Sequence, residues 1–134
     1  MTDLLDGPPA VHRWPDETWA ANYATQVRSA GWAVTPVSTT LRWDKAGLLA
    51  ACRRAFAFPA WFGTNWDALA ASLSDVPVPA AGLLVPWRGW GPMARMFPDD
   101  FAVATDILAE WVTGQPPGRT VLVSLVGPGP ITSL

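Results

Sequence analysis

The sequence predicts an α/β domain: a small, three-stranded parallel sheet packed with helices, preceded by an N-terminal helical extension. Three observations carry this expectation. Segments with apolar residues at three- and four-residue spacing alternate with short apolar runs, the pattern left by strands joined through helical crossovers. One run, Thr120 to Val126, is nearly all apolar, as suits a strand covered on both faces. The chain has 134 residues, half of them hydrophobic and 15% charged, enough for one folded unit with a real core.

Taken in order, residues 1–12, with Gly7-Pro8-Pro9, read as a mobile arm. Pro15-Asp16-Glu17 opens the first helix, its early acids suiting the helix dipole. Trp19, Tyr23, Val27 and Ala30 make one apolar face, and Gly31 is a plausible stop. Trp32 to Val37 reads as a strand that Pro36 confines to an edge or ends. After the polar turn Ser38 to Thr40, Asp44 caps a second helix reaching Ala57, with Leu48, Leu49, Cys52, Ala55 and Phe56 inward. Asn65 is suited to cap a third helix whose inward residues are Trp66, Leu69 and Leu73. Gly82 to Trp87 is the second strand, Arg88 to Pro92 a turn, and Met93 to Phe97 a helical turn. Pro98-Asp99-Asp100 starts the last helix, the two acids serving as its cap. Phe101, Ala104, Leu108, Trp111 and Val112 face inward, and Gly114 ends it. Thr120 to Val126 closes the sheet, and the tail after Gly127 reads as loose. Residues 1–31 form arm and extension, and 32–134 the main body, of what is expected to be a single compact domain.

Composition narrows the function. A net charge of −2 and a pI near 5.1 argue against a direct nucleic-acid partner, because phosphate binding needs a basic surface. No apolar run approaches a membrane span, and the first residues lack a signal-peptide pattern, so a cytoplasmic location is expected. The single Cys52 excludes an internal disulfide, and the single His12 excludes any two-histidine site. Cys52 falls on an inward stripe and reads as a buried, inert thiol. His12 lies in the arm without a positioned partner. Gly89-x-Gly91 lacks the strand-to-helix context of a phosphate loop. Asp106 and Glu110, one turn apart, read as a solvated face. No nucleophile–base pair, metal cluster or cofactor fingerprint is visible, so the expectation is a non-enzyme with no cofactor.

The most informative stretch is Phe58-Pro59-Ala60-Trp61-Phe62-Gly63-Thr64-Asn65-Trp66-Asp67-Ala68-Leu69. It crowds four aromatics around a Pro and a Gly, then starts a helix with an acid in its first turn. This dodecamer resembles the signature of the barstar family, intracellular protein inhibitors of barnase-type ribonucleases. Weaker likeness extends over residues 30–126, through Lys45-Ala46-Gly47-Leu48-Leu49, Leu83-Leu84-Val85 and Gly89-Trp90-Gly91. The resemblance implies a three-stranded parallel sheet packed with helices, and a protein that plugs the RNA-binding cleft of a ribonuclease. Such a cleft is basic because it holds phosphate, so carboxylates on a projecting helix can occupy the phosphate positions. Barnase and barstar are themselves the standard illustration of charge-steered association.

By position, the resemblance assigns Trp61 to the contacting aromatic of the loop and Asp67 to the first contacting carboxylate. Gly63 reads as a tight turn and Asn65 as a cap. The dominant carboxylate one turn after Asp67 is replaced by Ala71, and the aromatic before it by Ala70. Asp75, or Glu110 on the last helix, are candidates to compensate. The two tryptophans beside Arg88 read as a partner patch or as a lid over the sheet. The expected partner is a small basic ribonuclease, bound 1:1 by a chain that is a monomer when free. The alternative is a barstar-like interaction module that has lost ribonuclease inhibition and binds another protein.

Overall fold

The computed structural model of the chain describes residues 11–59 and 65–130. Its elements are β1 (Val11–Trp14), α1 (Glu17–Ser29), β2 (Ala33–Val34), β3 (Val37–Ser38), α2 (Lys45–Phe56), α3 (Trp66–Ser74), β4 (Leu83–Arg88), α4 (Trp90–Met96), α5 (Pro98–Thr113) and β5 (Val121–Val126). Every strand pairing is parallel, in the order β1-β5-β4-β2, with β3 also pairing with β4. The α/β class and the parallel sheet are those the sequence implies. The sheet has five strands rather than three, for two physical reasons.

The first lies at the β2–β3 edge. The single strand expected over residues 32–37 is interrupted, so Ala33–Val34 pairs with Leu83–Leu84 and Val37–Ser38 with Trp87–Arg88. Thr35 N–H donates to the Leu84 carbonyl at 2.9 Å and Thr39 N–H to the Arg88 carbonyl at 3.0 Å. Backbone polar groups alternate sides along a strand, so Pro86 also turns toward this edge, where it has no N–H to offer. The ladder therefore breaks beside Pro86. The second reason is β1. Val11–Trp14, whose first two residues fall in the stretch read from sequence as a mobile arm, pairs with β5 from Val11↔Val123 to Trp14↔Val126. The tail beyond Gly127 is not loose as far as Pro130. Gly127 N–H donates to the Trp14 carbonyl at 3.0 Å, and the Arg13 guanidinium donates to the Gly129 carbonyl at 3.1 Å.

The two faces of the sheet hold separate cores. Leu83, Val85, Trp87, Val121, Val123 and Leu125 point toward α2, α3, α4 and α5, where they meet Leu48, Leu49, Cys52, Leu69, Leu73, Met93, Phe101 and Leu108. Leu84, Leu122 and Val126 point the other way and are covered, with Trp14, by Ala20, Ala24 and Val27 of α1. α1 runs from β1 at one edge to β2 near the other, so one helix suffices to cover that face. Arg88 Nε and Glu17 Oε1, 3.0 Å apart, tie the helix to the end of β4.

Local sequence explains the helix ends. Asp16, Asn65 and Asp44 cap α1, α3 and α2 by accepting from Trp19 N–H at 2.9 Å, Ala68 N–H at 2.7 Å and Gly47 N–H at 2.8 Å. The last helix departs from expectation. Its N-cap is Phe97, without a side-chain bond, and Asp99 and Asp100 lie inside the first turn, where they act on the dipole rather than as caps. α4 begins at Trp90, three residues before the helical turn expected at Met93.

Candidate partner-binding face

α3 presents its outer side to solvent because its apolar residues fall on one flank. Leu69 and Leu73 are buried in the larger core, and Trp66 is half-buried against it. The Lys45 ammonium lies 5.1 Å from the centre of the Trp66 ring, joining the N-terminal ends of α2 and α3. Asp67, Ala70, Ala71 and Ser74 all lie exposed, at the three- and four-residue spacing that puts them on one stripe. Asn65, also exposed, gives its side-chain oxygen to the cap. Trp61 and Gly63, singled out from the sequence, lie outside the described residues.

Two acids flank this stripe. Glu110 of α5 lines a groove of about 270 Å³ together with Ala70, Ser74, Ile107 and Trp111. The groove exists because α3 carries small residues where it faces α5. Asp75 lies on the other flank, at the C-cap of α3, and lines a second groove with Phe56 and Phe58. Asp67, Asp75 and Glu110 are all exposed. The face is therefore a shallow, small-residue strip with an acid at its head and one toward each side. It is suited to receive positive groups that project from a partner. Sequence reasoning raised Glu110 without placing it. Its nearness to α3 depends on how two helices pack, which no local pattern records.

Other candidates resolve clearly. Trp87 and Trp90 are buried to 1% and 0% exposure, so they are not a partner patch: Trp87 projects from β4 into the larger core, and Trp90 packs into the same core from α4. Trp90 stacks on Phe101 with centroids 5.8 Å apart, and the Arg13 guanidinium lies 5.4 Å from its ring. Cys52 is a buried free thiol whose pKa burial pushes up to about 12. His12 sits on β1, where burial holds its pKa below the ordinary value. Among the described residues no group of three or more His, Cys, Asp or Glu is arranged to hold a metal ion. No described helix is long and apolar enough to cross a membrane.

A parallel α/β sheet that displays one short, acid-flanked helix makes a small α/β domain with an exposed helical face. Residues 34–124, more than half of the chain, match the family model described as Barstar (barnase inhibitor), and the chain belongs to the barstar family. Comparison with curated proteins returned no match. The family match starts in β2 and ends in β5, so β1 and α1 precede it.

Proposed function

We propose that this chain is a proteinaceous inhibitor of a barnase-like endoribonuclease, forming a 1:1 complex in the cytoplasm of the cell that makes the enzyme. The observation that carries the reading is Asp67. It is exposed in the first turn of α3, at the place where the family's first contacting carboxylate falls, with Glu110 and Asp75 to either side. A ribonuclease cleft must attract phosphate, so its cationic groups are left unpaired until RNA or a substitute arrives. Carboxylates on a fixed helix are such a substitute, and occlusion requires no chemistry from the inhibitor. Charge attraction also speeds encounter, an effect that falls with ionic strength.

The test is titration of small guanyl-preferring ribonucleases with the purified chain. RNA cleavage should stop near one equivalent, and association should slow as salt rises. Failure to inhibit any such enzyme at micromolar concentration would remove the proposal. One observation favours a second reading. Ala70 and Ala71 are both exposed on the stripe where the family presents an aromatic and its dominant carboxylate. A barstar-like module that has exchanged its ribonuclease for another protein would carry such a loss. It would be marked by capture of a defined non-ribonuclease partner through α3, with ribonuclease activity untouched.

A further inference from the structure

We propose that the groove between the β3–α2 loop and the outer side of α2 binds an acidic segment of a further protein. Its carboxylate is taken by Arg42 and Arg54, and a neighbouring apolar side chain rests on Leu41. The groove holds about 220 Å³ and is lined by Ser38, Leu41, Arg42, Gly47, Ala50 and Arg54. It is separate from the acid-flanked face and opposite to it in charge. Gly47, Ala50 and Arg54 follow at three- and four-residue spacing on one stripe of α2. Lys45 and Phe56, on the opposite side of the helix by the same spacing, are the residues that meet Trp66 of α3 and Trp111 of α5. A guest in this groove therefore leaves the α3 face open.

Gly47 makes the groove by letting the loop come down onto the helix. A Cβ there would meet the carbonyl and the side chain of Arg42, so Arg42 is seated against α2 at this point. Its Nε lies 3.3 Å from Asp44 Oδ1, the atom that caps the helix by accepting from Gly47 N–H. That contact engages Nε and leaves the terminal N–H groups of the fork for a guest. Arg54 is exposed, and among the described residues it forms no ion pair. Arg53 and Arg54 both suit the negative end of the α2 dipole, but only Arg54 also lines the groove. Two guanidiniums thus share a small cavity whose lining includes no acid.

The charge of the lining asks for an anion, and the rest of the chain narrows which. Carboxylate matches guanidinium through paired N–H···O bonds. Phosphate does so too, but a nucleic-acid strand is a long polyanion and needs a basic surface along its path. This chain carries a net charge of −2, and Asp44 lies beside Arg42. Leu41 is 97% exposed where it lines the groove. A protein side chain can cover that apolar surface, and a phosphate backbone cannot. An acidic segment with an apolar residue next to its carboxylate meets both features at once.

The test uses the whole free chain, labelled with ¹⁵N, and acetyl-Glu-Leu-Glu amide as the probe. The same peptide with glutamine for both glutamates, and the trinucleotide UpUpU, serve as comparisons. The acidic peptide should give saturable shifts at the backbone amides of Leu41, Arg42, Ala50 and Arg54 and at the Nε–H signals of the two arginines. The glutamine peptide should not bind, and the trinucleotide should bind several-fold more weakly. Arg54→Gln and Leu41→Ser should each weaken the acidic peptide several-fold while melting within a few degrees of the parent, which separates lost binding from lost folding. Shifts that never saturate, or that persist unweakened in either variant, overturn the proposal, as does equal or tighter binding of the trinucleotide. Shifts at the same signals that grow with protein concentration alone would assign the groove to a second copy of the chain and overturn it as well.

Discussion

Asp67 carries two separable roles, and their magnitudes tell them apart. As a first-turn acid it stabilises α3 by ~0.3–1 kcal/mol through the helix dipole. As a contact with a desolvated cation it is worth about 1.5–3 kcal/mol, or roughly tenfold and more in affinity. Asp67→Ala should therefore lower stability by less than ~1 kcal/mol while weakening the complex at least about tenfold. Denaturant melts beside inhibition titrations measure both. Equal small losses in the two would reduce Asp67 to a helix-dipole residue. Cys52 gives an independent check of the core. Burial raises its folded pKa from 9.0 to about 12, so the unfolded chain loses this proton first. The stability linked to the thiol is full below pH 9 and drains away as pH rises from there toward 12. Iodoacetamide at pH 8 should label Cys52 only as fast as the protein opens, and labelling within minutes under native conditions would contradict its burial. The caps and the inward stripes were legible in the residues because both are local patterns. Trp90 was not, since a tryptophan after a turn can belong to a lid or to a contact, and only packing against Phe101 decides.

Helices were legible as elements and strands only in part. A helix announces itself by its own cap and periodicity, as Asp44 and Asn65 do. A two- or four-residue strand exists because a neighbour pairs with it. Val11–Trp14 has no alternation of its own and becomes β1 by lying against β5, while β2 and β3 owe their separation to the donor that Pro86 lacks toward this edge. The start of α2 shows how closely a loop and a helix can be fitted. A Cβ on Gly47 would clash with the Arg42 carbonyl oxygen, which is backbone and can move only with its loop. Gly47→Ala would gain ~1 kcal/mol of helix propensity. Overpacking of this kind costs about 1–3 kcal/mol, and the loop clash should win. Urea melts should show a net loss of up to about 2 kcal/mol. An Ala variant more stable than the parent would mean that the loop is free to yield.

At the scale of the whole molecule, the acid-flanked face and the N-terminal extension belong to opposite sides of one sheet. α3 and α5 build the face on the side of the larger core, while α1 seals the other side. The sequence reading separated residues 1–31 from 32–134, and the family match begins only at residue 34. Both invite the view that the extension is dispensable. Packing argues otherwise. Trp14, Ala20 and Val27 bury Leu84, Leu122 and Val126, and Trp14 packs edge-on against Trp19 and Tyr23, with centroids 4.9 Å away in each case. Uncovering a large aliphatic side chain costs about 1.5–3 kcal/mol, so three of them approach the entire stability of a small domain. Loss of β1 would also leave β5 as a bare edge, open to pairing with other chains. A chain truncated to residues 32–134 should therefore be insoluble, or soluble without near-UV circular dichroism and without a cooperative melt. The full chain should unfold in a single transition followed equally by tryptophan fluorescence and far-UV signal. A truncated protein that melts cooperatively within a few degrees of the parent would make β1 and α1 an appendage. The partner-binding face would then have to be explained without them.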